Sequence, residues 1–213
     1  MTPDTEAPDE NKLVPNLYYD KTKLLLTVNN PEARYLHENG FFGNWISENT
    51  LSLAPEETLL LLDRGRIEIF DATSGQRITS SELVTHFLSE MVDFWPRYLV
   101  YKDLRSRGYV VKIGTRVTAP FRIYSRGGKP GESVSNVSVF PLAEGNFLDL
   151  DFLDQIVSQA RIDRKKLLLS VIDRLGDVTY YTASQLELER NELEYEYRDE
   201  GVDITPDLPK RRE

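Results

Sequence analysis

The chain has 213 residues, 40% of them hydrophobic, and carries 26 Lys and Arg against 35 Asp and Glu, a net charge of −9 at neutral pH. It has no cysteine, which excludes disulfides, thiolate zinc sites and a thiol nucleophile and, with no signal-like N-terminus, suits a reducing cytoplasm. No apolar run approaches the roughly 20 residues of a membrane helix, so no membrane partner is expected, and the length suits two small domains.

Residues 1–15, MTPDTEAPDENKLVP, are acidic, proline-bearing and poor in apolar side chains, and read as a disordered arm. From Lys23 the run KLLLTV predicts a strand, and Asn29-Asn30-Pro31 a turn into a short helix from Ala33 to Glu38. Gly40 and Gly43 bracket Phe41-Phe42 in a turn. Pro55-Glu56-Glu57 suits the first turn of a helix that runs through Leu59 to Leu62 and stops at Gly65. Arg66 to Phe70 alternates as a strand should. Ser80 or Ser81 can then cap a helix with Leu83, Val84, Phe87, Met91 and Val92 on one stripe. These elements form a small α+β unit over 16–93.

After Trp95-Pro96 a helix is expected to run to Arg107, ended by Gly108. Strands are predicted at Tyr109 to Ile113, Phe121 to Tyr124 and Ser135 to Leu142, followed by a helix from Asp149 to Ala160 with Phe152, Ile156 and Ala160 inward. Lys166 to Ile172 and Val178 to Thr182 are β-rich and flank a turn at Leu175-Gly176-Asp177. The second unit, 94–185, is therefore expected to be a mixed sheet with helices. Residues 186–213 form an acidic tail whose alternating segment LELERNELEYEYRDE fits either an edge strand or disorder.

Charge separates these segments. Residues 94–185 hold 9 acids and 14 bases, +5, whereas 16–93 stand at −6 and 186–203 at −6. A basic stretch of this length inside an acidic chain is the footprint of a surface that meets phosphates, although lysines and arginines that only solubilise a helix face would give the same count.

There is no phosphate-cradling glycine loop, paired-histidine zinc helix or nucleophile elbow. Both histidines, His37 and His86, lie in the acidic first unit, where ordinary structural roles are expected. Asp149 or Asp151 with Asp163 and Lys165 could mimic the acids and lysine of a metal-dependent nuclease, a spacing that chance also supplies in so charged a chain.

The run Tyr98-Leu99-Val100-Tyr101-Lys102-Asp103-Leu104-Arg105-Ser106-Arg107-Gly108-Tyr109-Val110-Val111-Lys112 is followed by Phe121-Arg122-Ile123-Tyr124 and Arg126-Gly127. Later come Arg164-Lys165-Lys166-Leu167-Leu168-Leu169, Ile172-Asp173, Gly176-Asp177-Val178 and Tyr180-Tyr181. In this order the blocks closely resemble the nuclease domain of archaeal tRNA-intron splicing endonucleases, over about 98–181, with a weaker likeness to that family's N-terminal domain over 22–93.

The resemblance implies a small α+β domain followed by a restriction-endonuclease-like mixed-sheet domain. It also implies metal-independent cleavage of precursor tRNA to 2′,3′-cyclic phosphate and 5′-hydroxyl ends, with no cofactor and no bound metal. In that family a tyrosine acts as base for the ribose 2′-hydroxyl, a histidine protonates the leaving 5′-oxygen and a lysine steadies the charge between them, as in-line attack requires. By motif the tyrosine is Tyr124 and the lysine Lys165, but the histidine's place, ten residues after the tyrosine and just before a serine, is held by Val134. Ser158 stands where the family often has a substrate-facing arginine, and Thr115-Arg116-Val117-Thr118 replaces the usual lysine, phenylalanine and glycine.

The expected roles follow. Arg122, Arg126, Arg164 and Lys166 contact RNA, and other endonuclease subunits, in a tetramer-like or dimer-of-dimers assembly, meet Asp173, Asp177, Val178 and Tyr180. The missing acid points to a structural subunit, with three alternatives: a catalytic subunit whose acid is displaced or supplied by a partner, a metal-dependent nuclease, and an RNA-binding module.

Overall fold

A computed structural model describes residues 14–124 and 128–185, and all the elements named below lie in one compact unit. The sequence reading of a disordered arm falls, for residues 1–13, outside the described residues, as does that of the tail from 186 onward. No helix among the described residues is long and apolar enough to cross a membrane.

Among the described residues the first element is β1 (Asn16–Tyr19), a strand not expected from the sequence. Its Leu17 and Tyr19 are buried while Asn16 and Tyr18 face out, the alternation of a half-buried strand. β2 (Leu26–Asn29) begins three residues later than the KLLLTV pattern suggests, because Lys23 N–H closes a turn onto the Asp20 carbonyl. α1 (Glu32–Glu38) follows the Asn-Pro turn as expected. β3 (Asn44–Ser47) and β4 (Thr50–Leu53), both unforeseen, complete a three-stranded sheet in the order β2-β4-β3.

α2 (Pro55–Asp63) starts on its proline, and β5 (Glu68–Asp71) pairs in parallel with β1. α3 (Ser80–Glu90) is capped by Thr79 and not by the serines. Glu82 N–H donates to Thr79 Oγ1 while the Glu82 carboxylate takes the Thr79 N–H, a reciprocal pair that fixes the first turn. Leu83 and Phe87 form its buried stripe. Val92 lies beyond the helix end and is 95% exposed, which corrects its expected place on that stripe.

α4 (Phe94–Ser106) takes Trp95-Pro96 into its own first turn, where proline's missing N–H would have had no helical partner. Gly108, at φ +83°, then carries the chain out of the helix. A five-stranded mixed sheet follows: β6 (Val110–Arg116), β7 (Ala119–Tyr124), β8 (Val137–Ala143), β9 (Lys166–Ile172) and β10 (Val178–Ala183), in the order β10-β9-β8-β7-β6. Only β8 and β9 are parallel in it, so the helix α5 (Leu150–Ile162) serves as their crossover.

The sheet lies between α4 and α5. Val100, Tyr101 and Leu104 of α4 share one cluster with Val111, Phe121, Ile123, Val139 and Ile172, and that cluster continues unbroken into Leu26, Leu51, Leu59 and Phe87 of the first unit. A second cluster joins Ile156 and Ala160 of α5 to Leu167, with Phe140, Phe152 and Leu169 packed on it. Alternation along β8 sends Val139 to the first and Phe140 to the second.

Buried charge reinforces the seam between α2 and α4. Glu56 and Glu57, whose position in a first helical turn suits solvated acids, are wholly enclosed. Glu57 accepts N–H bonds from Gly43 (2.9 Å) and Ala54 (3.0 Å), and burial pushes its carboxyl above the usual range against the pull of these bonds and of Lys112. Lys112 of β6 donates to the Gly43 carbonyl, and Arg105 of α4 reaches the Gly40 carbonyl at 2.8 Å while stacking on Phe42. Arg97 Nε binds Glu56 Oε1 at 2.7 Å.

Truncating one partner of a buried pair strands the other charge. Arg97→Met is therefore expected to lower the unfolding free energy by about 3 kcal/mol in denaturant titration, and Glu56→Leu added to it to restore most of the loss.

Candidate active site

The site is built where β7, β8 and β9 lie side by side. Ile123 pairs with Val137, and Val137 pairs with Lys166. One residue further, the same registers bring Tyr124, Asn136 and Lys165 into line, and the Lys166 N–H bond to the Asn136 carbonyl at 2.8 Å marks that row. Tyr124 and Lys165 thus stand two strand spacings apart, about 10 Å at the backbone. Because Phe121 and Ile123 enter the main core, alternation turns Arg122 and Tyr124 to the other face.

Lys165 owes its place to the way α5 stops. Its N–H returns to the Ala160 carbonyl at 2.8 Å and that of Arg164 to the Arg161 carbonyl at 3.0 Å, the paired bonds of a Schellman ending. The left-handed residue this ending needs is Arg164, at φ +53°, where glycine would be at ease. Gly114 has a different constraint, for a Cβ there would meet the Ala119 carbonyl oxygen at 2.0 Å.

A cleft of about 360 Å³ opens here, lined by Gly114, Arg116, Ala119, Arg122, Asp163 and Lys165. Arg116 Nη1 lies 3.1 and 2.9 Å from the two oxygens of Asp163, and Gln159 Nε2 donates to the same carboxylate at 2.9 Å. Partial burial alone would raise the Asp163 carboxyl, but these bonds and the nearby Lys165 ammonium hold it below the ordinary carboxylate value. Arg122 Nε is buried and has no hydrogen-bond partner among the described residues. The cleft therefore presents three cations against one carboxylate, a setting for an anion.

Val134 lies two residues before Asn136 in the connection between β7 and β8, and it is 79% exposed. Arg164 and Lys166 are exposed beside the cleft, whereas Arg126 falls outside the described residues. The two histidines are both far back in the chain and engaged, His37 with the Phe42 carbonyl and His86 with the Tyr19 hydroxyl. Asp149 caps the start of α5 by accepting from Asp151 and Phe152 N–H, while Asp163 closes its end. Thirteen residues of helix put those acids about 20 Å apart, so the carboxylates of the metal-dependent reading are not brought together.

At the far end of the sheet, Asp173 Oδ1 accepts the N–H groups of Leu175 and Asp177 and so folds the β9–β10 turn on itself. Val178 packs against the main core. Tyr180 points inward: its hydroxyl donates to Asp103 Oδ2 at 2.7 Å, and burial with that bond drives its pKa well up. The exposed side chains of β10 are Thr179, Tyr181 and Thr182, and the strand forms an edge of its sheet.

A small α+β unit, and a mixed nuclease-like sheet with a cationic cleft at one end of its strands, define an α+β protein of nuclease-like class. A family model for the tRNA intron endonuclease catalytic C-terminal domain matches residues 94–180, and one for the tRNA intron endonuclease N-terminal domain matches 22–84. A tRNA-splicing endonuclease of Methanothermobacter thermautotrophicus is 36% identical over 150 residues, 70% of this chain and 85% of that protein. One from Thermococcus kodakarensis is 36% identical over 149 residues, covering 68% and 83%. One from Methanosarcina acetivorans is 34% identical over 146 residues, 68% of this chain but 40% of that longer protein. The chain belongs to the tRNA intron endonuclease family.

Sequence reasoning missed the joining of Arg116 to Asp163, 47 residues apart, because only the sheet order brings the β6–β7 hairpin over the end of α5. The strained Arg164 supplies a direct check on the turn that carries Lys165. Arg164→Gly is expected to raise the unfolding free energy by about 1 kcal/mol in denaturant titration, and a loss of stability would contradict the ending described.

Proposed function

We propose that this chain is a structural subunit of a tRNA-intron splicing endonuclease, one that holds precursor tRNA and supports a partner subunit bearing the histidine. The observation that carries the proposal is Val134. A hydrocarbon side chain cannot deliver a proton to the leaving 5′-oxygen, and without that delivery in-line cleavage loses its general acid. Membership of the family and its likeness to tRNA-splicing endonucleases support the substrate, precursor tRNA, and the cationic cleft supports a grip on its phosphates.

Residues 16–93 would serve as the N-terminal unit and 94–185 as the nuclease-type unit, with an acidic arm before them and an acidic tail after. Arg122, Arg126, Arg164 and Lys166 would face RNA. The β10 strand, at an edge of its sheet among the described residues, would with the turn from Asp173 to Asp177 meet another subunit by strand pairing and charge, and a cytoplasmic site of action suits such an assembly.

The alignment of Tyr124 with Lys165 favours a second reading, a catalytic subunit that borrows its acid. In it Tyr124 takes the 2′-hydroxyl proton and Lys165 steadies the pentacoordinate phosphate, while the partner protonates the leaving group. In both readings the chain needs a partner.

The test is incubation of the purified chain with an intron-containing precursor tRNA in EDTA, alone and with a histidine-bearing partner subunit. Cleavage is expected only in the mixture. Cleavage by the chain alone would overturn the proposal, and cleavage that waits for magnesium would favour the metal-dependent reading.

A further inference from the structure

In the cleft, the one carboxylate already occupies one of the three cations. Arg116 Nη1 bonds both oxygens of Asp163, yet the two side chains keep 56% and 22% of their surface open, so solvent reaches the pair. A guanidinium offers the same planar donors to a carboxylate and to a phosphate, which makes such a pair exchangeable. Gln159 gives Asp163 a second donor, so the carboxylate keeps a partner when Arg116 turns away. Arg122, on the strand paired with that of Arg116, carries a buried Nε with no acceptor among the described residues, a donor whose desolvation an entering anion would offset. Lys165 completes the lining and adds a third positive charge.

We infer that Asp163 is a placeholder for a backbone phosphate of RNA: it holds Arg116 in the free protein, and a phosphodiester entering the cleft takes Arg116 from it and bonds Arg122. The inference rests on the RNA-binding role proposed above and adds the groups that make and release the contact. Asp163 thereby sets the threshold for binding. A weak or misplaced anion leaves the internal pair closed, and a well-placed phosphodiester opens it. No covalent step is involved.

The test is a double-mutant cycle on the full chain, with Asp163→Asn, Arg116→Gln and the two combined, read by fluorescence anisotropy with precursor tRNA over a series of salt concentrations. Asparagine keeps an oxygen for Gln159, and thermal melts establish that each variant is folded. Asp163→Asn is expected to tighten binding roughly fivefold at low salt, and that gain is expected to vanish when Arg116 is glutamine. A gain of equal size in both backgrounds would mean that Asp163 acts only through the general field and would overturn the inference, as would no gain at all.

A second readout separates failure of the exchange from failure of the RNA reading. Inorganic phosphate, at matched ionic strength against chloride, is expected to raise the Tm of Asp163→Asn more than that of the parent chain, and only with Arg116 present. That effect without any RNA binding would overturn the RNA role and leave the exchange standing. RNA binding that is indifferent to Asp163 would do the reverse.

Discussion

Val137 of β8 is paired at once to Ile123 of β7 and to Lys166 of β9, antiparallel on one side and parallel on the other. The cleft exists only while both registers hold. A slip of one residue on β7 would drive Arg122 and Tyr124 into the core and expose Phe121 and Ile123, each of which is now buried against α4. Phe121 alone, at full burial, contributes on the order of 2 kcal/mol to the register that places its polar neighbours. Hydrophobic burial thus fixes the position of the polar site. The α5 ending does the same for β9, since its two return bonds decide where Lys165 leaves the helix.

The first unit serves this sheet by holding α4 in place. Arg97, Arg105 and Lys112 send charged groups across to Glu56, Gly40 and Gly43, and the apolar cluster runs through the same contact. Enclosed charges of this kind are costly when a partner is lost, and the bond from Arg97 Nε to Glu56 Oε1 ties α4 to α2. β6 lies at the edge of the sheet and carries Arg116 at its end, so the path from the enclosed acids of α2 to the cleft is short.

Much of the second unit could be read from the chain. The runs at 109–113, 121–124, 135–142, 166–172 and 178–182 read as strands, and they correspond to β6, β7, β8, β9 and β10 with ends shifted by a few residues. The first unit was harder. NLYY is only four residues long, and its partner β5 is some 50 residues away, so β1 has no local signal beyond two buried apolar positions. β3 is exposed throughout and lacks the alternation that would announce it. Glu56 and Glu57 look solvated because a sequence does not display the backbone N–H groups and the arginine that enclose them.

The same division holds at the site. Tyr124, Val134 and Lys165 were singled out through ordered motif blocks, and their roles remain part of the proposal, whereas Arg116 and Asp163 join through topology alone. Asp163 had a different meaning in sequence, as one ligand of a metal set, and the length of α5 separates it from the other acids.

Val134 is the residue on which the functional account turns, and the most direct measurement restores what it lacks. Val134→His, purified alone and incubated with an intron-containing precursor tRNA in EDTA, should cleave and leave 2′,3′-cyclic phosphate ends at a rate roughly a hundredfold or more above that of the parent chain. Equal cleavage by parent and variant would show that the acid comes from elsewhere and would contradict the account.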